Sequence, residues 1–158
     1  MKKIAFIIIS AIAASCSNMV DENHYYVTPE LKSFVDNFYN EAAKQGIRLQ
    51  KNNLSITLKK LDFHAGAGVE GVSVYNKDEV FLDVDFATNL LNSKNHIDSL
   101  NVEYVVFHEL GHYLLHRGHI SEQNYTIMTP DGWYKSDFQT SIKKRNQLIT
   151  ELFKVSAK

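Results

Sequence analysis

One segment of the chain, residues 101–117, restricts the fold more than any other, because its apolar side chains leave almost no polar face. At helical spacing they occupy nearly every direction around the axis: Val102, Val105, Val106, Phe107, Leu110, Tyr113, Leu114 and Leu115. A helix that is apolar on all sides is normally buried, since only the interior of a domain covers it completely. The sequence therefore predicts a domain built around a central helix over residues 101–117.

Local patterns on the N-terminal side of this segment predict one helix and three strands. Thr28-Pro29-Glu30 is typical of a helix start, and Gly46 is typical of a helix end. Alternating apolar residues predict three strands, at residues 54–58, 72–75 and 80–86. The last two strands are close enough in sequence to form a hairpin.

On the C-terminal side, a capping box predicts a final helix. Ser136 and Gln139 form the box, and apolar residues follow at helical spacing: Phe138, Ile142, Ile149, Leu152 and Phe153. The order of a helix, strands, a central helix and a last helix predicts an α+β domain with a mixed sheet.

Histidines and a glutamate interrupt the apolar central segment. His108 and His112 are four residues apart, so on a helix their imidazoles share one face and can bind one metal ion. A buried helix would not retain such polar groups unless something satisfied them, because burying them unpaired costs several kcal/mol. We therefore predict a zinc site, with hydrogen-bonded core histidines as the alternative.

A third zinc ligand has to come from outside this pair, because catalytic zinc usually has three protein ligands. His116 continues the spacing of four, but that step rises about 6 Å further along the helix. His119 follows Gly118, which can adopt the left-handed conformation that ends a helix and turns the chain back. We expect His119 to be the third ligand and His116 to be a surface residue, with Glu122 or Glu151 as alternative ligands.

The N-terminus has the features of a bacterial lipoprotein signal peptide. Two lysines precede an eleven-residue apolar run, which is too short to cross a bilayer as a permanent helix. Cys16 follows Ala-Ala-Ser, and as the only cysteine it cannot form an internal disulfide. We expect residues 1–15 to be removed, Cys16 to be lipidated, residues 16–27 to act as a tether and residues 28–158 to form the domain.

The charge balance restricts the possible partners of the exported chain. Beyond residue 15 it has 15 basic and 18 acidic residues, a formal net charge of −3. This small negative charge does not indicate a nucleic-acid-binding protein. We expect a monomer whose contact with the membrane is made through its lipid.

The zinc pattern extends into a family resemblance. The His-Glu-x-x-His pattern at residues 108–112, with the following glycine and third histidine, and the Thr-Ile-Met-Thr-Pro segment at 126–130 resemble the metzincin clan of zinc metallopeptidases. They are similar in particular to small metalloprotease-like lipoproteins of Gram-negative bacteria, over residues 80–153. The resemblance implies a zinc-dependent endopeptidase that acts on peptide or protein substrates in the cell envelope, at the outer membrane or cell surface. It also implies that Glu109 is the general base and that Met128 lies in a turn beneath the zinc site.

The chain departs from the metzincin pattern at the end of the helix. That pattern has its glycine three residues and its third histidine six residues after the second histidine, whereas this chain has Leu115 and Gly118 at those positions. His119 comes one residue later, so we expect the helix end to differ by one residue.

The resemblance also suggests where the substrate would bind. A peptide would lie against an edge strand before the central helix, for which residues 80–86 are the candidate. Tyr125 or Tyr134 could stabilise an oxyanion, with packing as the alternative for both. Asp83 and Asp85 alternate with the apolar residues of the predicted strand and are expected on its solvated face.

A second class of function is a surface-anchored binding module that contains zinc and cleaves nothing. Glu109 argues against this class, because a structural zinc site usually closes with a fourth protein ligand and has no need of a carboxylate beside its histidines. The sequence thus favours an enzyme.

Overall fold

The chain adopts an α+β fold with a mixed four-stranded sheet, which confirms the coarse class predicted from the sequence. The computed structural model describes residues 24–61, 69–93, 95–120, 126–130 and 142–154. Within these residues the strands are β1 Tyr25–Val27, β2 Leu54–Lys59, β3 Gly71–Val74 and β4 Glu79–Asp83, and the helices are α1 Lys32–Lys44, α2 Val84–Asn92, α3 His96–Leu115 and α4 Ile142–Phe153.

The order of the strands in the sheet is β1-β2-β4-β3. β1 and β2 are parallel, as are β2 and β4, whereas β3 and β4 form the predicted antiparallel hairpin. A short 3₁₀ turn and the left-handed residue Asp78 connect the two hairpin strands. Because β4 lies between β2 and β3, the prediction that residues 80–86 form an edge strand is wrong.

The predicted strand 80–86 is also too long, because the chain becomes helical at Val84. Asp83 caps helix α2, with its carboxylate accepting a hydrogen bond from the Phe86 amide at 2.9 Å. It also accepts one from the Leu61 amide at 3.0 Å and is only 4% exposed. Asp83 is therefore a buried cap, and the expectation of a solvated face is wrong for it; Asp85 is exposed and pairs with Lys60 as a surface residue would.

The N-terminal boundary of the folded domain precedes the predicted one. Residues 25–27, assigned to the tether 16–27, form β1 and pair with β2 at Leu54, Ser55 and Ile56. A three-residue strand is too short to give a reliable alternation, which explains why the sequence pattern missed it. Helix α1 follows the predicted Pro29 start and ends before Gly46, whose φ of 77° is left-handed. Cys16 and the predicted signal peptide lie outside the described residues.

Helix α3 occupies the centre of the domain, as predicted. It begins five residues earlier than expected, at His96, where the Asn95 side chain accepts a hydrogen bond from the Ile97 amide. Its middle is buried, and Phe107 packs edge-to-face against Phe38 of α1 at a ring distance of 5.1 Å. The helix is therefore fixed by apolar packing along most of its length.

Helix α4 packs against the same core through residues that include Leu148, Ile149 and Leu152. Ile142 is an exception among the predicted apolar residues, because it is 80% exposed. Ser136, Phe138 and Gln139 lie outside the described residues. In the part of the chain that the structure covers, no helix combines the length and the hydropathy needed to cross a membrane.

Candidate metal centre and active site

The site forms where helix α3 ends. Leu115 is the last helical residue, and His116 adopts the left-handed conformation with φ of 52°. The carbonyl of Gly111 accepts hydrogen bonds from the amides of His116 and Arg117. The expectation that Gly118 supplies the left-handed residue is therefore wrong, and the reason is that histidine is one of the few non-glycine residues that this conformation tolerates.

The turn after the helix brings three imidazoles together. The Nε2 atom of His108 lies 3.1 Å from that of His112 and 3.2 Å from that of His119. One ligand atom from each of the three residues lies within 4.8 Å of the others. These are the three histidines predicted as metal ligands.

Backbone carbonyls hold two of the imidazoles in position. Nδ1 of His108 is 2.6 Å from the carbonyl oxygen of Ile127, and Nδ1 of His112 is 2.6 Å from that of Arg117. A carbonyl only accepts, so each Nδ1 donates its proton and the Nε2 atoms carry the free lone pairs. Burial lowers the pKa of His112, with the Arg117 carbonyl opposing and His119 adding to the effect. A neutral ring with a free Nε2 is the form that binds a metal ion.

The geometry fits a zinc ion. Zn–N bonds of about 2.0–2.1 Å in a tetrahedral site place the ligand nitrogens roughly 3.3 Å apart. Two of the three nitrogen separations, His108 to His112 at 3.1 Å and His108 to His119 at 3.2 Å, are close to this value. Three imidazoles, two of them with a carbonyl acceptor at Nδ1, form a donor set that could hold a metal ion such as zinc.

A tight turn carrying Met128 lies beneath the site. The Thr129 amide donates to the Thr126 carbonyl, and the Met128 amide donates to the Thr126 hydroxyl. Met128 is buried, and its sulfur would lie 2.7 Å from a Cβ atom added to Gly111. The turn also contains Ile127, the hydrogen-bond partner of His108, so it supports the histidine cluster directly.

Glu109 contacts strand β3, and its carboxylate is not among the grouped donor atoms. It is 6% exposed, and its Oε2 accepts a hydrogen bond from the Ser73 hydroxyl at 2.8 Å. Burial raises the pKa of Glu109 to about 7, and the Ser73 hydrogen bond opposes this shift. Glu109 therefore follows His108 directly in the sequence, but its carboxylate is not one of the candidate ligands.

An aromatic pair borders the same region. Tyr75, just after β3, stacks on Tyr113 at a ring distance of 5.9 Å. Tyr113 in turn donates to the Asp78 carboxylate at 2.5 Å. Burial and then the charge of Glu109 raise the pKa of Tyr75. A phenol therefore lies within electrostatic range of the carboxylate, in a position that the sequence did not single out.

Two other candidate ligands among the described residues, His116 and Glu151, do not join this cluster. His116 is exposed and is not among the three close histidines. Glu151 accepts a hydrogen bond from Gln147 on α4 and is likewise not among the grouped donors. Glu122, Tyr125 and Tyr134 lie outside the described residues, so their predicted roles stay predictions.

Two residues of β3 contact Glu109 and were not recognised from the sequence. A Cβ atom on Gly71 would lie 2.7 Å from Cγ of Glu109, and Ser73 provides the hydrogen bond. Glycine within a strand is itself a signal of a close approach, so Gly71 could have been noticed. Ser73 has no such signal, because its contact spans 36 residues of sequence.

Comparisons with known proteins identify no relative of this chain. No protein-family model matches it, and neither the curated proteins nor the solved structures contain a match. A function for this chain consequently has to be inferred from the residues of the site itself.

Proposed function

We propose that this protein is a zinc-dependent endopeptidase, with His108, His112 and His119 as the metal ligands and Glu109 as the general base. The observation that carries the proposal is the convergence of three imidazoles, two of them held by backbone carbonyls, at the end of a helix in which the residue after His108 is a buried glutamate that is not one of the grouped donors. Zinc would supply a Lewis acid that lowers the pKa of a water molecule and polarises the scissile carbonyl.

The residues of the chain have separate parts in this proposal. The Glu109 carboxylate accepts a proton from the attacking water and later donates it to the amine nitrogen of the departing product. His108 and His112 keep their protons on Nδ1, where the carbonyls of Ile127 and Arg117 accept them, so both rings stay in the ligand tautomer.

An extended peptide would bind along β3, which is the described strand at the edge of the sheet next to α3. β3 pairs only with β4 in the described sheet, and its Ser73 contacts Glu109 of α3. An edge strand offers unpaired backbone groups that a peptide can use as an added strand. In this proposal β3, and not residues 80–86, is the edge strand that binds the substrate peptide.

The proposed enzyme would be attached to the cell envelope through lipid on Cys16. This part of the proposal is supported by the sequence alone: a short apolar run after two lysines, followed by a single cysteine. Several acyl chains on one residue would give stable anchoring, whereas a single chain binds membranes only marginally.

Replacement of Glu109 tests the enzymatic part of the proposal. Glu109→Gln keeps the shape of the side chain but cannot accept the proton, and Glu109→Ala removes it. Both variants should retain about one zinc ion and lose roughly 10²- to 10⁴-fold in the rate of peptide hydrolysis. Glu151→Gln is the matched control, since it removes a carboxylate of the C-terminal helix that lies outside the site.

The measurements are zinc content, thermal unfolding and cleavage of a quenched peptide library, with denatured casein and a chelator as a second assay. A wild-type protein with one zinc ion and no cleavage of any peptide would favour the non-catalytic binding module. Glu109 variants that cleave at the wild-type rate would exclude Glu109 from the mechanism.

A further inference from the structure

Strand β3 contacts the Glu109 side chain through two residues on one face of the strand. Gly71 and Ser73 are two positions apart, so both are directed to helix α3. The Ser73 hydroxyl oxygen lies 2.8 Å from Oε2 of Glu109 and 2.8 Å from its backbone carbonyl oxygen. One strand therefore contacts both the carboxylate and the backbone of the same residue.

Gly71 approaches Glu109 more closely than any other residue type could. A Cβ atom there would lie 2.7 Å from Cγ of Glu109, 3.0 Å from its Oε1 and 2.9 Å from Cγ1 of Val105. Real Cβ atoms essentially never come within 3.0 Å of such atoms, so any side chain at this position would displace Glu109 or Val105. The missing side chain leaves the space in which the carboxylate lies.

We propose that β3 positions the general base: Ser73 holds Oε2 of Glu109, and Gly71 leaves room beside Oε1, which is then the oxygen that accepts the proton. This inference rests on the proposed peptidase function. Ser73 does not itself gain or lose a proton in the reaction. Its part is to act through Glu109 as a positioning residue.

The physical reason lies in the freedom of a glutamate side chain. Its terminal torsion has a broad energy minimum, so an untethered carboxylate samples many orientations. A hydrogen bond from the Ser73 hydroxyl to the charged oxygen is of the stronger, charge-assisted kind and selects one orientation. A fixed base is effective in proton transfer, because misplacement by about 1 Å can cost roughly 100-fold in rate.

The same hydroxyl could instead serve only to attach β3 to α3. In that case its removal would lower stability and leave the turnover of the folded enzyme unchanged. A positioning role predicts a different result, in which kcat falls and KM does not. The second contact, to the backbone carbonyl of Glu109, makes this distinction necessary.

The test compares four variants of the full chain loaded with zinc. Ser73→Ala should lower kcat about 10- to 100-fold, with KM within about twofold of wild type and zinc content unchanged. Ser73→Thr restores a hydroxyl on a residue that strands favour, and should recover most of the rate. Gly71→Ala should also lower kcat. Ser99→Ala removes a hydroxyl that donates to the His96 carbonyl in the first turn of α3, and should leave kcat unchanged.

A second measurement uses the metal-free protein and needs no activity. The unfolding equilibrium is measured for Ser73→Ala, Glu109→Ala and the double variant. Contacting residues should be coupled, so the effect of the double variant should differ from the product of the single effects by at least about threefold. Independent effects would overturn the proposed contact, even if Gly71→Ala fails to fold.

The outcomes separate this inference from the proposed function. An active wild type in which Ser73→Ala retains full kcat overturns the positioning role alone. Failure of Ser73→Thr to recover the rate would also count against it. A wild type that carries zinc and cleaves nothing overturns the proposed function, and the positioning role is overturned with it.

Discussion

Replacement of His119 by alanine tests the candidate metal ligand that is most distant in sequence from the other two. Its Nε2 lies 3.2 Å from Nε2 of His108, so the change removes one of the three nitrogen donors. His116→Ala is the matched control, because it removes an exposed histidine from the same segment that does not belong to the cluster. Zinc should stabilise the His116 variant as it does the wild type, and should stabilise the His119 variant far less.

The size of the difference follows from ligand linkage. Free zinc at 100 times the wild-type dissociation constant stabilises the folded protein by about 2.7 kcal/mol. Loss of a supporting hydrogen bond alone commonly weakens metal binding about 10- to 100-fold, so loss of a direct ligand should weaken it at least about 100-fold. The same zinc concentration would then stabilise the His119 variant by only about 0.4 kcal/mol.

The assay is thermal unfolding with and without zinc, accompanied by elemental analysis of the purified proteins. A difference of about 2.3 kcal/mol corresponds to roughly 9 °C for a domain of this size, taking about 4 °C per kcal/mol. A His119→Ala protein that retains the wild-type response to zinc would refute the assignment. So would a His116→Ala protein that loses it.

Three further predictions concern the anchor, the packing beneath the site and the response to acid. Cys16→Ala should release the protein from the membrane fraction and alter its gel mobility, and unchanged fractionation would exclude the lipid. Gly111→Ala should lower the free energy of unfolding in urea by about 1 kcal/mol. The added Cβ atom would lie 2.7 Å from the Met128 sulfur, and such overpacking costs about 1–3 kcal/mol. The higher helix propensity of alanine offsets about 1 kcal/mol of this cost. Burial alone would raise the pKa of Asp83, but the backbone amides of Phe86, Leu61 and Asp85, together with Lys60, lower it below its ordinary value. A carboxyl whose pKa is lowered in the folded state stabilises the fold at pH values above its unfolded pKa, and this contribution is lost in acid. When the pH is lowered below about 4, the free energy of unfolding of the wild type should therefore decrease. The decrease should be less steep in Asp83→Asn, which has no carboxyl to titrate at this position.

The parts of the structure that the sequence predicted well are those with a local and repeated signal. The apolar stretch around Phe107 predicted a buried central helix, and the spacing of His108 and His112 predicted that their imidazoles meet. His119 was predicted from the need for a third ligand, and its place in the cluster is confirmed. Each of these inferences uses residues within about a dozen positions of one another.

The strand at residues 80–86 shows how a local pattern can mislead. Val84 and Phe86 continue the alternation of β4, although they belong to the first turn of α2. Period-two spacing over two residues does not distinguish a strand from a helix start. Asp83, a favourable N-cap residue, was the signal that separates the two elements.

Contacts that depend on the arrangement of separate elements could not be read from local patterns. Ser73 meets Glu109 across 36 residues, and the carbonyl of Ile127 meets His108 across 19. Both contacts exist because β3, which precedes α3 in the sequence, and the Met128 turn, which follows it, pack against this helix. The cluster of imidazoles was therefore predictable, whereas the groups that orient the rings were not.

The proposed likeness to the metzincin pattern has to accommodate one extra residue before the third histidine, and the conformation of His116 offers a way to do so. In the pattern that the chain resembles, a glycine precedes the third histidine by three residues, and here the left-handed His116 precedes His119 by three. Under the proposed resemblance, the additional residue would lie within helix α3 and His116 would take the position of the glycine.

The left-handed conformation of His116 should also affect the stability of the zinc-free protein. A left-handed conformation costs a non-glycine residue roughly 1–2 kcal/mol, and glycine avoids this cost. Glycine also loses more conformational entropy than other residues when the chain folds, which offsets part of that advantage. His116→Gly should therefore be about 0.5–1 kcal/mol more stable than His116→Ala in urea unfolding, and both should bind zinc as the wild type does, because the ring of His116 is not a donor to the site. If His116→Gly proves less stable than His116→Ala, the backbone conformation is not what residue 116 contributes, and the correspondence with the glycine is wrong.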